Sequence, residues 1–372
     1  MASMLYSPTL DVAATLRQII FSPLLSGSLL LTVTYAPNSV RDVIYNIARR
    51  LPGLHLSTRS LDLSMTTTAL RTLLALSILR QLNRALGTMA ANSWRLTPSR
   101  GWDWPSEIAV VTGGSSGIGK SIVEKLSVLG VRVAVLDVQD LPGSMKVDPR
   151  VRLFKCDVTS SESIAAAANA IRQEFGHPTI LINNAGITRP MPILKMPESF
   201  LRKIFGVNCL SLWLTTQQFL PHMIQMNKGH VITVASIASF VALPMAADYS
   251  ASKAGALAFH ESLTCELKHC YKAPNVLTTV VQPNFVRTPL VEDFADHLER
   301  SGVRMLTSDD IAEPIVAQLK SRQGGQLIIP RSASPISGIR GWPTWLQELL
   351  RDVLGRQSLG IEDKYSVEVL AT

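Results

Sequence analysis

Lysine and glutamate are missing from the first 105 residues of this 372-residue chain. That stretch has ten arginines against four aspartates, so it holds +6 of a net charge of +8. Charged residues are scarce overall, at 17%, while apolar residues reach 47% and the mean hydropathy is +0.21. Such values exclude a disordered or collagen-like chain. They also hint at contact with a membrane. Cysteine is sparse too: Cys156, Cys209, Cys265 and Cys270 lack the paired spacing of a zinc site or a disulfide scaffold. We read them as reduced thiols in a cytosol-like compartment and expect no metal. A nucleic-acid binder sets its basic excess on a folded face. Here the excess lies in an apolar leader, so no nucleic-acid partner is expected.

Residues 18–40 carry no charged side chain, and Ile19–Ala36 is their apolar centre. Eighteen helical residues rise about 27 Å, near the lower limit for crossing a hydrocarbon core. Pro23 and Gly27 interrupt the run, which leaves a kinked span or an interfacial segment open. Nine arginines follow between Arg41 and Arg100, against Asp42 and Asp62. The positive-inside rule then turns the rest of the chain toward the cytosol. A second apolar stretch, Leu70–Leu86, is broken by Arg71, Arg80 and Arg84 and suits an interface. Residues 1–104 are therefore expected to form a membrane-associating extension, on the endoplasmic reticulum or a lipid droplet. A mitochondrial presequence is the alternative, against which the long uncharged run argues.

From Glu107 onward the texture changes. Short β-rich runs at 107–112, 131–136, 151–156, 179–183, 229–235, 276–282 and 325–330 alternate with helical patterns. The helical stretches are 117–129, 160–175, 206–227, 248–271 and 309–321. This alternation predicts an α/β fold, a doubly wound parallel sheet of about seven strands with helices on both faces. It spans 105–330, and residues 331–372 add an amphipathic helix and a tail.

The first strand runs into Thr112-Gly113-Gly114-Ser115-Ser116-Gly117-Ile118-Gly119. Glycines between a strand and a helix let the backbone approach a pyrophosphate, which sits at the helix N-terminus. Asp137 ends the second strand. A carboxylate there accepts both ribose hydroxyls and repels a 2′-phosphate, so NAD is favoured over NADP.

This turn, T-G-x-x-x-G-x-G, resembles that of the short-chain dehydrogenase/reductase family, and further marks follow in order. Asp157-Val158 closes the third strand, Asn183-Asn184-Ala185-Gly186 follows the fourth, and Asn208 lies within 206–227. Ser236 ends the fifth strand, and Tyr249-Ser250-Ala251-Ser252-Lys253 comes thirteen residues later. The resemblance covers about 105–330 and implies a Rossmann-type nicotinamide-dependent oxidoreductase. It implies a cofactor set of Gly113, Ser115, Ser116, Gly117, Ile118, Gly119, Asp137, Asp157, Val158, Asn184, Ala185 and Gly186. Tyr249, Lys253, Pro283, Val286 and Thr288 complete it. One departure is Pro283-Asn284 where the family has Pro-Gly; Asn tolerates left-handed backbone, so the turn can survive.

Tyr249 and Lys253 stand four apart, on one helix face. A free phenol near pKa 10 is a poor base at neutral pH. Neighbouring cations stabilise the phenolate, letting Tyr249 take the alcohol proton as hydride leaves the carbon. Ser236 would hold the substrate oxygen, and Asn208 a water near Lys253. His222, His260 and His269 have no ligand-spaced partners and read as satisfied or surface histidines.

Segment 284–308 mixes Phe285, Val286, Leu290, Val291 and Phe294 with charges, as a lid over a lipophilic substrate or an ordinary amphipathic helix would. Further on, Trp342, Trp345, Leu346, Leu349, Leu350, Val353 and Leu354 share one helix face, suiting a bilayer interface, the protein's own core or a dimer partner. The helices 206–227 and 248–271 offer apolar faces for a homodimer or for burial within one subunit. Leader, Asp137 and terminal helix together resemble the membrane- and lipid-droplet-associated retinol and 17β-hydroxysteroid dehydrogenases. The expected function is oxidation of a lipophilic alcohol (retinoid, steroid or long-chain) with NAD at a membrane. Alternatives are an NADPH-dependent ketoreductase of lipid or secondary metabolism, and a non-catalytic nucleotide-binding scaffold.

Overall fold

The computed structural model describes residues 19–40, 43 and 63–358. They fall into two compact units, one within residues 8–90 and the other running from residue 91 onward. In the first unit, helix α1 spans Pro23–Tyr35. Proline begins it, the Ser22 hydroxyl accepts the Leu25 N–H at 3.5 Å, and Pro37 lies just beyond its end. Its 13 residues rise about 20 Å. The uncharged run is thus broken at Phe21 and Ser22 and does not form one continuous helix. Helix α2, Leu63–Ala91, contains the Arg-interrupted stretch 70–86. No helix among the described residues is long and apolar enough to cross a membrane. The expectations for residues 1–18 and most of 41–62 lie outside the described residues.

The second unit alternates strand and helix as the sequence predicts. In order come β1 Ile108–Thr112, α3 Gly117–Val128, β2 Arg132–Asp137, β3 Val151–Lys155, α4 Ser161–Glu174 and β4 Ile180–Asn183. Then follow α5 Glu198–Phe205, a π-helical turn Gly206–Leu210, α6 Ser211–Met226, β5 Gly229–Val234 and α7 Ala247–His269. The last elements are β6 Val276–Pro283, α8 Glu292–Arg300, α9 Ser308–Ser321, β7 Gly325–Ile329 and α10 Thr344–Ser358. The strands form one parallel sheet in the order β3-β2-β1-β4-β5-β6-β7. Its strand order reverses between β1 and β4, where β2 and β3 are added on one side and β4 to β7 on the other, and ligands bind outside the carboxyl ends of strands at such a switch point.

The central strands are buried along their length because helices cover both faces. On one face Ile122 and Leu126 of α3 meet Ile311 and Ile315 of α9 against the sheet. On the other, Ile164 and Ile171 of α4 pack with Phe219 and Met223 of α6 and Leu263 of α7. The apolar faces of α6 and α7 are thus largely spent within the subunit, although Leu210 and Trp213 stay exposed. His230 and His260 are core residues bonded to Thr279 (2.8 Å) and Thr233 (3.4 Å). Burial pushes them down to about 3 and about 4, so both are neutral. His222 instead stacks on His177, with ring centroids 4.0 Å apart.

Two expectations change. The helical stretch 206–227 does not start at 206: α5 precedes it, and a π-helical turn joins the two helices at Asn208. The terminal helix does not carry one apolar face. Trp342, Leu350 and Leu354 pack onto the core, whereas Trp345 (69% exposed) and Leu349 (49%) point outward. Gln347 is half-buried and donates to the Trp342 carbonyl at 2.8 Å.

Candidate active site

One cavity of about 540 Å³ opens at the switch point. Its first end is the glycine turn. At Gly119 a side chain is impossible, since a Cβ would lie 2.0 Å from the Gly113 carbonyl oxygen. At Gly113, φ is +64° and a Cβ would approach the Ala185 backbone to 2.9 Å. The turn is clipped to β4 by two side chains. Thr112 Oγ1 accepts the N–H groups of Asn184 (2.9 Å) and Ala185 (3.0 Å). Asn184 Nδ2 donates to the carbonyls of Thr112 and Gly113, both at 3.1 Å. This fastening role of Thr112 was not read from the sequence, although the residue opens the motif.

Asp137 stands beside the turn, its carboxylate accepting the N–H of Ser115 and of Gln139, both at 2.9 Å. Asp157 is held by Thr159, whose N–H and hydroxyl lie 2.9 and 2.7 Å from Oδ1. The Thr159 N–H, then its hydroxyl, and Lys203 farther off hold the Asp157 carboxyl below the usual range.

At the far end Ser236, Tyr249 and Lys253 converge from β5 and α7. Lys253 is almost fully buried, its Nζ 2.9 Å from the Val234 carbonyl and 5.8 Å from the Tyr249 ring centroid. Burial pushes its ammonium down to about 8. Burial raises the Tyr249 phenol, and a hydrogen bond with Ser236 opposes that rise. Ser236 Oγ also accepts the Ala238 N–H at 3.1 Å, which fixes its rotamer.

Of the expected residues, Gly113, Ser116, Gly117, Ile118, Asp137, Asp157, Val158, Asn184, Ala185 and Gly186 line the cavity. So do Ser236, Tyr249, Lys253, Pro283, Val286 and Thr288. Ser115, Gly119 and Asn208 stand behind its wall. Ser115 props Asp137 through its N–H, and Gly119 closes the turn. Asn208 spends its carboxamide on protein: Oδ1 accepts the Ile187 N–H (2.8 Å), and Nδ2 donates to the Ile187 carbonyl (2.9 Å) and to Ser252 Oγ (3.1 Å). Both N–H groups of its carboxamide are thus taken by protein. Ser252, which also donates to the Tyr249 carbonyl at 2.8 Å, was not anticipated. Among the described residues no cluster of His, Cys, Asp and Glu could hold a metal.

The cavity fits a dinucleotide on this chain's own geometry. The glycine backbone leaves room for a pyrophosphate to approach, and the carboxylates of Asp137 and Asp157 line the same cavity. Residues 107–299 match the family model for the short chain dehydrogenase. The chain belongs to the short-chain dehydrogenase family. It is similar to Dehydrogenase RED2 of Cochliobolus heterostrophus, with 38% identity over 247 residues, 64% of this chain and 90% of the relative. It is also similar to estradiol 17-beta-dehydrogenase 11 of Pongo abelii, at 33% identity, covering 53% of this chain and 67% of that protein. The 17β-hydroxysteroid branch that the sequence resembles is thus among its relatives. Among solved structures it resembles 3-ketoacyl-(acyl-carrier-protein) reductase from Brucella melitensis complexed with NADH, with TM-score 0.55 and 25% identity. That match covers 62% of this chain and all of the other. The chain is an NAD(P)-dependent oxidoreductase acting on CH–OH groups.

Proposed function

We propose that this chain is a membrane-associated, NAD-dependent dehydrogenase that interconverts a lipophilic alcohol and its carbonyl compound. The carrying observation is a single cavity with the Asp137 carboxylate at one end and Ser236, Tyr249 and Lys253 at the other. Around those three groups the walls are apolar, with Leu243, Met245, Phe285, Leu290 and Phe294. A retinoid, steroid or long-chain alcohol suits such walls. The bound nicotinamide would supply the hydride acceptor or donor.

Ser236 would orient the substrate hydroxyl, and Tyr249 would take its proton at the phenol oxygen. Lys253, charged below about pH 8, would stabilise the phenolate. Asn208 would keep α7 and the Gly186–Ile187 backbone in register through Ser252 and Ile187. Asp137 would accept the ribose hydroxyls and repel a 2′-phosphate, favouring NAD. In that division of labour residues 1–104 serve the membrane, 105–330 the chemistry, and 331–372 a terminal helix and tail. Apolar side chains that α1 leaves uncovered, Leu24 (85% exposed) and Leu31 (61%), support an interfacial anchor, as does Trp345 of α10.

The test uses full-length protein in detergent micelles with retinol, secondary steroid alcohols and long-chain alcohols, following NADH absorbance. Turnover that requires NAD⁺ and is lost in Tyr249→Phe is expected. Turnover with NADP⁺ alone would replace this reading with the reductase one. Tight NAD⁺ binding without turnover on any alcohol would favour the scaffold.

A further inference from the structure

The family model ends at residue 299, but the cavity continues into later residues. Ile336 and Leu354 line it, from the 3₁₀ segment Arg331–Gly341 and from α10. Both belong to a third apolar cluster, separate from the two that flank the sheet. Its buried members are Ile237, Val241, Ala333 and Ile339. Two of these, Ile237 and Val241, lie in the loop that begins at Ser236. Ile336 and Leu354 therefore border the reacting end of the cavity, not its adenosine end.

The same segment grips that loop by polar contacts. The Arg340 guanidinium donates to the carbonyls of Phe240 (3.3 Å) and Ser239 (3.5 Å). A Cβ at Gly355 would meet Pro244 at 3.7 Å, so α10 runs against the loop. Residues 331–355 are thus an internal wall facing the substrate, and the outward face of α10 is a separate surface.

We propose that this wall sets substrate length, with Leu354 and Ile336 touching the apolar body of the alcohol farthest from its hydroxyl. The assignment rests on the dehydrogenase reading above. It names an elongated apolar alcohol as substrate, because two aliphatic side chains gain from contact only with a molecule that reaches them. Compact alcohols satisfy Ser236 and Tyr249 without meeting the wall. One methylene in an apolar pocket is worth roughly 10–200-fold in kcat/KM, which makes the wall measurable.

The experiment compares Leu354→Trp, Ile336→Phe and wild type, full length in micelles, over a series from cyclohexanol to long-chain and steroid alcohols. The outward variant Trp345→Ala serves as control. Both wall variants are expected to lose at least tenfold in kcat/KM for the long members. Cyclohexanol turnover and NAD⁺ affinity should stay within about twofold, a change too small for a lost methylene contact. Uniform loss across lengths, or an unchanged length profile, overturns the wall. A second readout separates the two readings: the change in melting temperature that each alcohol causes with NADH bound. A length-dependent change that Leu354→Trp abolishes, without turnover in wild type, keeps the wall and removes the dehydrogenase reading. A change that ignores both substitutions removes the wall even if alcohols are oxidised.

Discussion

Lys253 should destabilise the fold it serves. Burial lowers its ammonium from 10.5 to about 8, and every tenfold loss of proton affinity corresponds to about 1.4 kcal/mol. Keeping the charge inside therefore costs about 3 kcal/mol at neutral pH. The folded value lies below the unfolded one, so the whole cost falls on the fold below pH 8. It fades as pH rises from 8 toward 10.5. Replacing Lys253 with Met keeps the length of the side chain and removes the charge. The substitution also orphans the Val234 carbonyl, now bonded at 2.9 Å, which costs about 1–2 kcal/mol. Lys253→Met should thus be more stable than wild type by about 1–2 kcal/mol at pH 7, yet inactive. By pH 10 its advantage should shrink by about 2–3 kcal/mol and reverse sign. Urea denaturation of the full chain without dinucleotide, followed by tryptophan fluorescence, measures this at both pH values. Unchanged slopes would show that the denatured states match. A variant less stable at pH 7, or a difference that ignores pH, would refute the reasoning.

Other perturbations give sharper or simpler outcomes. Gly119→Ala forces a Cβ to 2.0 Å from the Gly113 carbonyl; loss of NAD⁺ binding by calorimetry and a fall of about 2 kcal/mol or more in stability are expected. Asp137→Asn removes the carboxylate charge beside the glycine turn; on the proposed reading, the ratio of NAD⁺ to NADP⁺ affinities should fall at least tenfold, about one charge-assisted hydrogen bond. An unchanged ratio would place cofactor choice elsewhere. Glu107 is 1% exposed and bonds Lys228 (2.6 Å), Thr179 (2.5 Å) and the Asp103 N–H (3.1 Å); Glu107→Ala should cost about 2–3 kcal/mol in urea, short of a fully buried pair because Lys228 reaches solvent. Burial raises the Tyr249 phenol and Lys253 keeps its charge only below about pH 8, so kcat/KM for oxidation should climb toward pH 8 as the phenolate gains population and stop climbing above it as Lys253 loses its proton. A flat profile would mean that Tyr249 does not act as the base.

The strands were legible because a parallel sheet covered on both faces needs short β-branched runs, and VRVAVL or TILIN can serve little else in water. The cavity end at Gly113–Gly119 was legible for a related reason. Only glycine fits where a Cβ would lie 2.0 Å from a backbone oxygen, so the steric demand is written directly in residue type. Asn208 was legible by position and not by contact. Its carboxamide bonds depend on the π-helical turn at Gly206–Leu210. A π turn adds one residue without changing which residue types are apolar, so periodicity passes over it.

The terminal helix shows where a helical pattern stops being informative. Spacing places Trp342, Trp345, Leu346, Leu349, Leu350 and Leu354 within one broad stripe, yet a stripe that wide holds two rows. Trp342, Leu346, Leu350 and Leu354 follow every fourth residue; Trp345 and Leu349 form the adjacent row. Which row turns inward depends on the rotation at which α10 leaves the segment 331–341. Arg340 on the Ser239 and Phe240 carbonyls helps set that rotation, over about 100 residues of sequence separation. A helix-periodic sequence therefore predicts that α10 is amphipathic, and tertiary contacts decide that Leu354 faces substrate while Trp345 faces outward. The same placement lets one helix serve two partners. Its inner row can discriminate alcohols while its outer row meets a membrane, so substitutions in one row should leave the other function intact.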